Sequence, residues 1–333
     1  MPRVVPEAIV GVDMSDAFVS VIVPTRERPD LLTACVDSIL ASDYPADRFE
    51  VVVVDNRPET DATRASVDVL AARGAVVYTR CDLRGQARAR NHALRESRGD
   101  PVLFTDDDVV VDRSWIAEMV KGFDDPHVGC VTGRVAAFEL DTPAQALFEE
   151  FAGHMRDDAA RTFDLGAHRP DDPLFPYNAG RFGTGNSMAF RRDVLAELGG
   201  FAPISCNGVT LAEDIDAFLR TILAGHAIAY RPSAVVFHRH RRDYDALRKQ
   251  VLHYGMAVTA LLTKTILDRP SVALDLIRRV PAGVRYALSD ASAKNQYRTS
   301  SYPRELKLLE LAGFAAGPWA YLRDRRRTAH ERR

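Results

Sequence analysis

The chain has 333 residues, 46% of them hydrophobic, and a formal net charge of −2. That length and apolar content support a sizeable core in one large domain or two smaller ones, and exclude disorder for most of the chain. Four scattered cysteines, Cys35, Cys81, Cys130 and Cys206, form no C-x-x-C pair, which speaks against a disulfide framework and a cysteine zinc site, and no apolar run approaches the roughly 18 residues of a membrane span.

In chain order, residues 1–12 carry one arginine and two prolines ahead of a short apolar run, too short and too broken for a signal peptide. A cytoplasmic protein with reduced thiols is expected, free or at the inner face of a membrane. Residues 18–23 read FVSVIV and are bounded by Pro24, the pattern of a strand buried on both faces. Leu31, Leu32, Cys35, Val36, Ile39 and Leu40 then recur at helical spacing, with Pro29 acceptable in the first turn. A second strand at 51–54 ends at Asp55, a third spans 75–78, a helix covers 86–97, and a fourth strand at 102–105 runs into Asp106, Asp107 and Asp108. This alternation predicts a parallel sheet with right-handed crossovers.

Trp115, Ile116, Met119, Val120 and Phe123 mark another helix, followed by a strand at 128–138. Residues 141–186 mix Pro, Asp, Gly, Arg and aromatics around one short helical pattern at 144–151, the composition of a long excursion that covers a site. A strand at 187–190, a helix at 192–198 stopped by Gly199 and Gly200, a helix at 213–224, and strands at 228–230 and 235–237 complete the predicted catalytic region. The remainder, 244–333, is helical in pattern. After Tyr230 there are 21 basic and 9 acidic residues, a net +12, which leaves −14 for the first 230. An acidic body argues against nucleic-acid binding, and the basic tail points either to an anionic partner or to a solvated helical surface.

In a parallel sheet, ligands bind beyond the carboxyl ends of the strands. Polar residues gather there: Pro24, Thr25, Arg26, Glu27 and Arg28 after the first strand, Asp55 and Asn56 after the second, and the three aspartates after the fourth. Neither G-x-G-x-x-G nor G-x-x-x-x-G-K-[ST] is present, so dinucleotide-binding and P-loop readings lose their main support. The aspartate triplet suits a hard divalent cation that bridges carboxylate to diphosphate; a turn or helix start would also explain it.

Six segments in order, VSVIVPTRERPDLL, EVVVVDN, RGQARARNHAL, GDPVLFTDDDVVVD, FGTGNSMAFRRDVLAELGGF and AEDIDAFLRTILAGHAIAYRPSAVVFHRH, resemble the inverting family 2 glycosyltransferases of the GT-A fold. The resemblance implies an α/β fold, with a nucleotide-binding parallel or mixed sheet flanked by helices and a helical C-terminal extension. Its domain boundaries would be an N-terminal extension at 1–17, a catalytic domain at 18–242 (nucleotide half 18–112, acceptor half 113–242) and the extension at 243–333. Pro24, Thr25, Arg26, Glu27 and Asp55 would line the nucleoside pocket, with Arg84 and Arg90 near the base or diphosphate. Asp106 and Asp107 would contact ribose and phosphates. Asp108 would ligate Mn2+ or Mg2+, with His238, in preference to His240, completing the metal shell.

Asp214 would be the catalytic base, and Glu213 would help bind the acceptor or orient the base; the helix dipole alone would also favour acids in that first turn. Gly185 and Asn186, beside Gly183 and Thr184, would hold donor sugar or acceptor. The expected donor is a nucleotide sugar, first of all a UDP-sugar, although Arg57 and Pro58 stand where the family usually has small or hydroxyl residues, which leaves the base open. The acceptor would be a glycan, a lipid-linked molecule or a small molecule. The C-terminal helices would pack on the catalytic domain, on a second copy in a homodimer, or touch anionic lipid through the arginines at 323 and 325–327. The competing readings are a nucleotidyltransferase, disfavoured because TRERPD lacks a glycine, and an inactive sugar-nucleotide-binding scaffold.

Overall fold

The computed structural model describes residues 14–152 and 158–331, so the reading of residues 1–12 lies outside the described residues. The first half is β1 (Val19–Thr25), α1 (Pro29–Leu40), β2 (Phe49–Asn56), α2 (Ala62–Ala71), β3 (Val76–Cys81), α3 (Gln86–Glu96) and β4 (Val102–Phe104). Every residue of β1 and β2 is buried, as expected where helices cover both faces and β-branched side chains fill the pleats. β1 runs parallel to β2 and β4, and β2 parallel to β3, so their carboxyl ends open on one edge. α1 starts on Pro29, whose fixed φ and missing N–H suit a first turn, and buries Leu32, Cys35, Val36 and Ile39.

The second half comprises β5 (Val109–Val111), α4 (Trp115–Lys121), β6 (Val128–Ala137), α5 (Pro143–Ala152), β7 (Arg161–Phe163), β8 (Met188–Phe190), α6 (Arg192–Glu197), β9 (Ser205–Cys206), β10 (Val209–Thr210), α7 (Glu213–Ala224) and β11 (Ala227–His238). Among the described residues, nine strands form one sheet in the order β3-β2-β1-β4-β8-β6-β11-β5, with β7 also on β11.

The sheet is mixed, one of the two forms expected: β1 to β4 are parallel, as the alternation predicts, while β8 lies antiparallel between β4 and β6, and β5 and β7 are antiparallel to β11. The strands expected separately at 228–230 and 235–237 are one strand, β11, with a register shift between Arg231 and Val235 that accommodates Pro232. α2 and the short strands β5, β7, β9 and β10 are further additions to the elements expected from periodicity.

α8 (Tyr244–Asp268), α9 (Ala273–Leu288) and α10 (Arg304–Glu331) follow. α8 and α10 meet backbone to backbone: a Cβ on Gly255 would lie 2.3 Å from the Glu310 carbonyl oxygen, and one on Gly313 would lie 2.4 Å from that of Leu252. Met256, Ala260 and Leu261 of α8 and Ala320 and Tyr321 of α10 join the same apolar cluster as Phe104, Phe190 and Phe218, so these helices share a core with the sheet. The opposite face of the sheet packs on Trp115, Ile116, Leu32 and Val36.

Candidate active site

β4 ends at Phe104, and the chain turns through Asp106, Asp107 and Asp108 before β5. β5 pairs with the end of β11 in the register Val109 to His238, which sets an imidazole beside the last aspartate of the triplet. His238 Nε2 is 3.5 Å from Asp108 Oδ1, an oxygen that is buried and accepts no hydrogen bond. His238 Nδ1 lies 3.0 Å from His240 Nδ1, and His240 Nε2 lies 2.6 Å from Glu149 on α5. His240 therefore stands behind His238 and orients it.

Arg28, just past β1, reaches both neighbouring carboxylates, with Nη2 2.5 Å from Asp107 Oδ1 and Nη1 3.2 Å from Asp108 Oδ2. Asp107 also accepts a hydrogen bond from Thr25 Oγ1 at 2.7 Å. Burial nevertheless pushes Asp107 up to about 7, against the pull of Arg28 and Thr25. Asp108 moves the other way: burial opposes ionisation, but His238 and Arg28 together hold its carboxyl below the usual range.

A second group of charges lies deeper in the cleft. Arg90, projected by α3 and 1% exposed, places Nη2 3.1 Å from Asp106 Oδ1 and 3.0 Å from the Gly185 carbonyl oxygen, and Nη1 3.4 Å from Glu213 Oε1. Gln86 Nε2 donates to the same Asp106 oxygen at 2.6 Å. A buried guanidinium is tolerated because two carboxylates and a carbonyl surround it. Burial pushes Glu213 up to about 7 despite Arg90.

Next to Glu213, Asp214 Oδ2 accepts the Gly185 N–H at 2.6 Å and Oδ1 accepts the Ile215 N–H at 2.9 Å. A Cβ at position 185 would come within 2.8 Å of Asp214 Oδ2, so any side chain there would have to displace that carboxylate. Ala212, immediately before α7, holds a left-handed φ of 54°, a conformation that disfavours a Cβ and aims the first turn of α7 into the cleft.

Asp106, Asp108, His238, Arg90, Glu213 and Asp214 all line one cleft of about 2360 Å³, as do Pro24, Thr25, Arg26, Gly185 and Asn186. Asp55 sits at the end of β2, fully buried, with Oδ2 accepting from Tyr78 Oη at 3.3 Å and Oδ1 accepting no hydrogen bond. Glu27 is turned toward the loop after β2, where its carboxylate accepts the backbone N–H groups of Glu59 and Thr60 at 2.7 and 3.1 Å. Arg26 Nη2 pairs with Glu59 at 2.7 Å. Arg84 is exposed and does not line the cleft. Two participants, Gln86 and the Asp55 partner Tyr78, were not expected, and Arg28 was expected only as one of the polar residues after the first strand, not as the partner of the aspartates. Their proximity comes from pairings across 20, 23 and 80 positions, which no local pattern signals.

Among the described residues, no three His, Cys, Asp or Glu side chains converge on one point. The donors at Asp108 and His238 still suit a divalent cation that takes oxygen and imidazole ligands, because Asp108 Oδ1 faces His238 with no hydrogen bond of its own.

The pattern of Glycosyl transferase family 2 matches residues 20–199, and the chain belongs to that family. It is 27% identical over 248 residues to the pre-mycofactocin glycosyltransferase of Mycobacterium tuberculosis, covering 72% of this chain and 46% of that one, so the chain spans about half the length of these curated relatives. Its fold is similar to the mannosyltransferase PcManGT from Pyrobaculum calidifontis, solved in complex with GDP-Man and Mn2+, at a TM-score of 0.59 and 25% identity over 91% of this chain and 87% of that one. S. aureus TarS, solved with UDP-GlcNAc, superposes at 0.51 with 16% identity over 91% and 89% of the two chains. The fold is thus the GT-A fold of these transferases.

Proposed function

We propose that this chain is an inverting glycosyltransferase that moves a sugar from a nucleotide diphosphate donor, a UDP-sugar first of all, onto an acceptor hydroxyl. The observation that carries this reading is the meeting of the Asp108–His238 pair and the Arg90–Glu213–Asp214 group in one cleft at the carboxyl ends of β1 and β4. Asp55 offers a buried oxygen with no hydrogen bond, which suits an N–H on a base edge. Pro24, Thr25 and Arg26 border the nucleoside and Asp106 faces ribose and phosphates, whereas Asp107, fully buried and outside the cleft lining, holds Thr25 and Arg28 in place.

Asp108 and His238 would hold Mn2+ or Mg2+; the complex of PcManGT with Mn2+ and a nucleotide sugar supports this choice. When bound, the cation supplies positive charge to the diphosphate oxygens. Asp214 accepts the proton of the acceptor hydroxyl as that oxygen bonds to the anomeric carbon. The bond from the anomeric carbon to the diphosphate oxygen breaks, and the nucleoside diphosphate leaves with the electron pair. Attack from the face opposite the nucleotide inverts the anomeric carbon. Gly185 fixes Asp214 through its N–H, and Arg90 anchors both Gly185 and Glu213 behind it.

Incubation with UDP-, GDP- and dTDP-sugars and Mn2+ tests the reading. The wild-type protein should release nucleoside diphosphate slowly even without acceptor, whereas release of pyrophosphate would instead identify a nucleotidyltransferase. No release from any donor would leave a binding scaffold.

A further inference from the structure

α9 has a core-type face without a core. Along its length Leu276 is buried, whereas Leu274, Ile277, Val280, Val284 and Leu288 are 57%, 63%, 57%, 53% and 59% exposed. At the helical period these five fall within an arc of about 120°, the width of a stripe that ordinarily faces packed neighbours. Arg278 and Arg285 border one side of the arc, both exposed and neither in an ion pair among the described residues. The helix's acid, Asp275, lies outside the arc and is engaged elsewhere, accepting from Tyr177 Oη at 2.9 Å and Arg279 Nε at 3.0 Å. α10 repeats the theme: Leu308 and Trp319 are 66% and 69% exposed on a shared helical face, and exposed Arg323, Arg325, Arg326 and Arg327 follow.

We propose that α9 lays this stripe into the surface of an anionic bilayer, with its bordering arginines and those of α10 among the lipid headgroups. Charge decides the occupant. A two-fold contact between copies would repeat the same surface and bring arginine-bordered stripes together with no acid on the stripe to pair them. Anionic headgroups supply the missing charge, and acyl chains take the apolar arc. The stripe also adjoins the cleft, because Leu276, Val280 and Val284 line it, so docking would set the mouth of the site against the bilayer. The contact lies on the membrane: no helix among the described residues is long and apolar enough to cross one. The docking rests on α9 and α10 alone; only its use for an acceptor depends on the transferase reading.

Sedimentation with vesicles of phosphatidylcholine alone, and of phosphatidylcholine with an equal part of phosphatidylglycerol, tests it on the full chain. The wild type should pellet with the anionic vesicles. Leu274→Asp with Ile277→Asp should lower that partition at least about tenfold, and Arg278→Glu with Arg285→Glu should weaken it toward anionic vesicles. Thermal shift by nucleotide sugar reports folding and the donor site separately, and should be unchanged in both variants. A wild type that stays in the supernatant with both vesicles, a double-aspartate variant that binds as well as wild type, or a wild-type dimer in light scattering that the double-aspartate variant dissolves, overturns the proposal.

Discussion

Asp214 has its carboxylate plane fixed by two backbone N–H groups, one from its own helix and one from Gly185. A carboxylate held this way would serve as the proposed base without reorganisation. Asp214→Asn should keep donor affinity and lose sugar transfer by a factor on the order of 10² or more; turnover equal to wild type removes the role. Gly185→Ala probes position alone. Its Cβ would press within 2.8 Å of Asp214 Oδ2, so transfer should fall while donor-induced thermal shift persists, and an unchanged rate would show the contact to be idle.

Glu213 gives a pH signature. Burial raises it from 4.5 to about 7, so the folded state holds this proton where the unfolded chain has released it. The stability that follows is present in full below 4.5 and is lost as pH rises through about 7. The wild-type melting temperature minus that of Glu213→Gln should therefore fall across this window, and a flat difference contradicts the assignment.

At the scale of elements, the site depends on two junctions. One is the entry to α7, where Ala212 sits in the left-handed region. Ala212→Gly should relieve a local cost of about 1 kcal/mol, offset in part by unfolded-chain entropy, and so raise the urea midpoint slightly; a marked loss of stability would show that the methyl packs usefully. The other is the β5–β11 pairing, which joins His238 to Asp108 across 130 positions.

The residues at that second junction were legible in the sequence, but their meeting was not. β5 has three residues, too few for periodicity to show, and Pro232 divides the pattern of β11 into two apparent strands. α2 is illegible in the sequence for a related reason: it follows a polar stretch and buries only Thr63, Val67 and Leu70. α7, by contrast, was legible to the residue, because acids open it, an apolar face runs through it and Gly225 ends it.

Across the whole molecule, strands stop at His238 and helices follow, which is a change of pattern. It is no boundary of packing, because α8 and α10 complete the apolar cluster under the sheet. Sequence periodicity sees the first and is blind to the second, which requires knowing which faces meet. Gly313→Ala should consequently destabilise the whole chain, by about 1–3 kcal/mol, in a single urea transition; separate transitions for sheet and helices would show that the two parts have independent cores.

The nucleotide half was the most legible part because parallel strands buried on both faces write nearly continuous apolar runs, each ending in the polar residues that the fold brings to one edge. The proposed function requires a cation at Asp108 that strengthens donor binding. Calorimetry with UDP-sugar and GDP-sugar, in Mn2+ and in EDTA, measures this directly on wild type and Asp108→Ala. Tight binding by wild type in Mn2+, weakened both by EDTA and by the substitution, is the predicted result. Affinity that is the same in Mn2+ and EDTA for both proteins would contradict it.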